Sequence, residues 1–199
     1  MRHTCERLAI GLVFLLFASA AQAQTYTATL TGPGENPPVV TSGSGTGTVT
    51  VNTSLHTLRV VSSFSGLTSG TTASHIHCCV TPPGTAGVAT TTPSFVGFPL
   101  GVTSGGMDQT YDMTLASTWN PAFVTANGGT TAGAEAALVA GLAAGQAYLN
   151  IHTTINPGGE IRGFLLLPVP TLPVWMLAAV ALLLISGAYI ALRRRTLTA

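Results

Sequence analysis

The sequence predicts a mainly β domain, an antiparallel β-sandwich of the Ig-like, Greek-key type, with one short helix and a C-terminal transmembrane helix after it. Three observations predict this. Between two apolar ends the chain is rich in Thr, Ser, Gly and Val, residues that suit half-buried strands and tight turns. Seven short segments alternate apolar and polar residues, with turn-forming clusters between them. A single segment has helical spacing.

The strands are expected at 25–30, 46–52, 55–63, 73–80, 109–115, 147–153 and 160–166. TGTVTVN and LHTLRVVSS flank an Asn52-Thr53-Ser54 break, which reads as a hairpin. The helix is expected over 132–144, with Thr131 as N-cap, Leu138 and Leu142 as its buried stripe and Gly145 just past its end. The Pro/Gly/Thr-rich stretch 81–106 reads as an ordered surface loop pinned by Phe95 and Phe98. Pro157-Gly158-Gly159 forms the tight connection between the last two strands.

The two ends carry addresses. Arg2 and Arg7, the apolar run 8–18 and Ala21-Gln22-Ala23 read as a secretory signal peptide, residues 1–23, cut between Ala23 and Gln24. Residues 172–192 carry no charge; 21 residues at ~1.5 Å rise span about 31 Å, the thickness of a ~30 Å hydrocarbon core. Trp175 and Tyr189 suit the interfaces, and Arg193, Arg194 and Arg195 favour the cytoplasmic side. The expected organisation is therefore an exported domain, 24–168, anchored to the cytoplasmic membrane by a C-terminal helix and lying outside the cytoplasm.

The whole-chain mean hydropathy of +0.49 is set by these ends and misdescribes the domain. Within 24–168, Arg59 and Arg162 face Glu35, Asp108, Asp112, Glu135 and Glu160, a formal charge of −3, and the chain has no lysine. Nucleic acid is excluded as a partner, because neutralising phosphates needs clustered Lys and Arg. No G-x-S-x-G, phosphate-cradling loop or paired carboxylates stand out, so no catalytic residues are assigned.

The stretch Ser74-His75-Ile76-His77-Cys78-Cys79-Val80 concentrates the chemistry. Side chains alternate between faces along a strand, so His75, His77 and Cys79 share one side and Ile76 and Cys78 the other. Tyr148, Asn150 and His152 share a face of a later strand. The histidines then point outward or into a polar pocket beneath a loop. If the two strands are neighbours, His75, His77 and His152 meet. Three imidazoles suit zinc or copper, Cys79 adds a soft fourth ligand, and Glu160 orients one imidazole from behind. The reading the residues alone favour is a hydrogen-bonding role, with these groups satisfying loop backbone, and the metal is its alternative. His56 stands apart from the cluster. In an exported compartment Cys78 and Cys79 have three fates: a vicinal disulfide, free thiols, or a bridge to another chain.

Gly34-Glu35-Asn36-Pro37-Pro38-Val39, Ser74-His75-Ile76-His77, the run 147–153 and Pro157-Gly158-Gly159-Glu160-Ile161-Arg162-Gly163 together resemble the CHRD domain, a module first described in chordin and widespread in exported bacterial proteins. The resemblance covers nearly all of 26–166 and implies no established activity or catalytic residues. Val169-Pro170-Thr171-Leu172-Pro173-Val174-Trp175, the apolar span and the arginine triplet resemble the IPTL-type C-terminal sorting signal of Gram-negative bacteria, with Val169 where that motif has Ile. It implies recognition by an exosortase-like sorting protease and a final place at the cell surface or outside the cell. The expected function is a non-enzymatic binding or structural module of the envelope or extracellular matrix, with an unnamed ligand; the alternative is a copper or zinc protein with a redox role.

Overall fold

Alternating burial gives each strand one face for the core, and the pairing of those strands fixes where the histidines stand. The computed structural model describes residues 23–168, 175–176, 178–179 and 181–187. Seven strands appear, each within a few residues of its expected place: β1 (Gln24–Thr31), β2 (Ser44–Asn52), β3 (Thr57–Ser65), β4 (Thr71–His77), β5 (Gly105–Asp112), β6 (Tyr148–Thr153) and β7 (Ile161–Phe164). In β1, Tyr26, Ala28 and Leu30 are buried while Thr27 and Thr29 face water. Val49 and Val51 of β2 and Leu58, Val60 and Phe64 of β3 continue the same core. The β2–β3 hairpin forms as expected, with Asn52 pairing Thr57.

The mainly β, antiparallel expectation holds, and the two-layer sandwich is not confirmed. All seven strands belong to one antiparallel sheet in the order β4-β6-β7-β1-β2-β3-β5. Thr31 pairs with Arg162, and Thr27 and Leu166 exchange backbone hydrogen bonds at 2.9 and 3.0 Å, so β7 stitches the halves into one surface. Glycine makes this possible: a Cβ at Gly163 would collide with the Thr29 carbonyl oxygen. The sheet curls on itself. Leu149 of β6 reaches Gly47 of β2, its Cδ2 lying 2.6 Å from where a Cβ on Gly47 would stand.

Within residues 24–168 two α-helices form where one was expected. α1 (Pro121–Ala126) starts from an Asn120 cap that accepts from Ala122 N–H, with Pro121 at the first helical position. α2 (Thr131–Ala143) is capped by Thr130, one residue before the expected Thr131. Its Ala134, Leu138 and Leu142 are buried, and Gly145 follows it with φ +66°, the conformation expected past a helix end.

The long connection between β4 and β5 is ordered, with Phe95 and Phe98 buried as expected. It also covers the free edge of β4. Ala89 N–H donates to Ile76 O (2.9 Å), Phe95 N–H to Ser74 O (3.1 Å) and Gly101 N–H to Thr71 O (2.8 Å).

Among the described residues no helix is long and apolar enough to cross a membrane. Ten of the 21 residues of the expected span 172–192 lie outside the described residues, as do the signal peptide up to residue 22, Pro170, Thr171 and the arginine triplet. Trp175 is described, helical and exposed.

Candidate metal centre

β4 and β6 are neighbours, and their register decides the site. His75 pairs with Asn150, His77 with Tyr148 and Ala73 with His152, so His152 lies diagonally beside His75 on the same face. The three rings sit with centroids 5.2, 5.8 and 5.8 Å apart. One nitrogen from each lies within 4.8 Å of the other two. His75, His77 and His152 are only 6, 7 and 8% exposed, so they lie covered rather than in open solvent.

Each ring is held from behind by a backbone carbonyl. His75 Nε2 donates to Pro93 O (2.7 Å), His77 Nδ1 to Ala86 O (2.9 Å) and His152 Nδ1 to Pro157 O (3.0 Å). A carbonyl only accepts, so these nitrogens carry the hydrogens of the neutral rings. The remaining nitrogens, His75 Nδ1, His77 Nε2 and His152 Nε2, are bare lone pairs aimed at one another. His75 Nδ1 and His152 Nε2 stand 3.3 Å apart with no proton between them, and His77 Nε2 is buried without a partner. Burial pushes the His75 and His77 pKa values down to about 4 and lowers that of His152, so the rings stay neutral at physiological pH. A metal-binding histidine characteristically donates its far nitrogen to a carbonyl in this way. The donor set fits zinc or copper.

Three residues given no role in the site by the sequence complete the surround. Tyr148 stacks on His77 at 4.8 Å and 7°, and its hydroxyl bonds both Ala86 N–H (3.1 Å) and Ala86 O (3.2 Å), fixing the carbonyl that holds His77. The Arg162 guanidinium covers the Tyr148 ring at 4.6 Å and donates to Pro83 O at 2.8 Å. Glu35 stands 3.7 Å from Arg162 Nε. Burial raises the Glu35 pKa to about 7 despite the opposing pull of Arg162. All three residues fall within motifs picked out in the sequence, but only their neighbours in space reveal what they do.

Two expected members are absent from the centre. β4 ends at His77, so alternation stops there and Cys79 does not join the histidines. It forms a vicinal disulfide with Cys78, and its Sγ lies 3.6 Å from Ala137 O of α2. The two sulfurs rest on Gly141, where a Cβ would overlap Cys78 Sγ and stand 2.5 Å from Cys79 Sγ. Glu160 orients no imidazole. Its carboxylate accepts from Thr41 (2.6 Å), Thr68 N–H and hydroxyl (2.7 and 2.8 Å) and Thr153 (2.7 Å). Burial works to raise its pKa, and these hydrogen bonds outweigh it and hold the carboxyl below its ordinary value. His56 is separate, as expected, and pairs with Glu135 at 2.9 Å.

The family model for the CHRD domain matches residues 26–165. No curated protein and no solved structure matches the chain.

Proposed function

The chain belongs to the CHRD domain family, and from that premise we propose that it is an exported module that holds one copper or zinc ion on His75, His77 and His152. One observation carries this reading: three lone pairs converge, each on a ring whose other nitrogen is tied to a carbonyl. In a purely hydrogen-bonding cluster a donor would face an acceptor, because buried polar groups left unpaired are costly. A cation at the centre turns three mutually repelling acceptors into three ligands. The role is binding rather than turnover, in the cell envelope or extracellular matrix. Residues 1–23 direct export, 172–192 hold the domain outside the cytoplasmic membrane, and an exosortase-like protease acts on the 169–175 motif before surface delivery.

Elemental analysis tests the metal. The full chain, expressed with export and purified from the membrane fraction, carries about one copper or zinc per molecule. His75→Ala and His152→Ala carry none. A metal-free wild type whose melting temperature ignores added copper and zinc overturns the reading.

A further inference from the structure

We infer that the ion this centre selects is monovalent copper, Cu(I), in preference to Zn(II) or Cu(II). This rests on the metal reading above and deepens it. The first ground is the ligand count. Among the described residues the ligand cluster contains three imidazoles and nothing else. Zinc in structural sites takes four ligands, and in catalytic sites keeps an open position for water. Cu(II) favours tetragonal coordination. Cu(I), a closed-shell ion, is satisfied by three nitrogen donors in a trigonal arrangement.

Charge is the second ground. All three ligands are neutral, and the acceptors behind them are neutral carbonyls of Pro93, Ala86 and Pro157 rather than carboxylates. Neither buried carboxylate of the domain's motifs hydrogen-bonds an imidazole: Glu160 accepts from three threonines, and Glu35 stands 3.7 Å from Arg162 Nε. The disulfide removes thiolate from Cys78 and Cys79. Arg162 adds positive charge behind Tyr148, the ring stacked on His77. A bound cation therefore keeps its full charge in a buried place. The desolvation cost of an ion grows as the square of its charge, so a divalent ion suffers about four times the penalty of a monovalent one.

The test is competitive titration of the full chain under anaerobic conditions. Cu(I) is supplied as its bicinchoninate complex and Zn(II) with a chromophoric zinc indicator. The expected result is one equivalent of Cu(I) bound on the order of a hundredfold more tightly than Zn(II). Because reductant opens the disulfide, a Cys78→Ser/Cys79→Ser double variant is titrated in parallel and retains its Cu(I). Zinc binding as tight as Cu(I) overturns the selectivity and leaves a metal centre standing. Loss of Cu(I) with the cysteines overturns the three-imidazole assignment. Binding of neither metal ends both this inference and the reading beneath it.

Discussion

His75 Nδ1 lies 3.3 Å from His152 Nε2, and neither nitrogen carries the hydrogen that a bond between them needs. Pro93 and Pro157 hold the hydrogens on the far sides of the rings. Two lone pairs thus stand face to face, a contact that a cation between them makes favourable.

Replacing His152 separates site from scaffold. His152→Ala costs the metal-free protein about 1–2 kcal/mol, from a lost hydrogen bond and a small cavity. It abolishes the added stability that metal gives the wild type, which reaches about 4 kcal/mol at a thousandfold excess over Kd. Urea unfolding with and without metal reads both.

Acid weakens the metal-free protein in a defined window. His75 and His77 are lowered from 6.5 to about 4, so the unfolded chain takes up protons before the folded one does. Their contribution is fully present above about 6.5 and is lost as pH falls through about 4. Bound metal moves the loss to lower pH, since protons then compete with the ion as well. Urea midpoints measured from pH 7 to 4, with and without metal, check this.

Glu35 has the opposite sign. Its pKa rises from 4.5 to about 7, so its contribution is complete below 4.5 and is lost as pH rises through about 7. Glu35→Gln removes that loss. The variant matches the wild type at pH 4.5 and is more stable by about 2 kcal/mol at pH 8, after allowance for solvent screening. A constant gap across this range contradicts the assignment.

Gly141→Ala reads the packing of α2 on the disulfide. Alanine is the better helix former by about 1 kcal/mol, yet its Cβ meets both sulfurs. The substitution destabilises the wild type by about 1–3 kcal/mol. In a Cys78→Ala/Cys79→Ala background the sign reverses, and urea midpoints reveal the reversal.

Removing residues 171–192 from a tagged chain sends the domain to the periplasm or medium with its signal cleaved at Ala23. Fractionation and mass spectrometry of the N-terminus check both points. Cytoplasmic retention with residues 1–23 intact overturns the export reading.

Much of the site was legible because strand periodicity is a local property. His75 and His77 share a side by alternation alone, and Leu149 and Ile151 mark the opposite face of β6 as core. The pairing of β4 with β6 is a fact of the folded chain, yet it brought His152 to the place the alternation allowed. Illegible parts depended on backbone. Ala86, Pro93 and Pro157 act through carbonyls that every residue possesses, so no side chain announces them. The single sheet turns on Gly163 lying beside Thr29. Cys79 left the predicted face because β4 stops two residues earlier, and Glu160 is claimed by threonines distant in sequence. α1, six residues long, was too short to show a period.

The loop that supplies Ala86 and Pro93 to the rings is the same one that covers the outer edge of β4 through Ala89, Phe95 and Gly101. One segment therefore both holds two of the three imidazoles and shields a row of backbone groups from other strands. Loosening it does two kinds of damage at once: the imidazoles lose their bearings, and the uncovered strand becomes a template for self-association. On the metal reading proposed above, ion loss and aggregation share a cause.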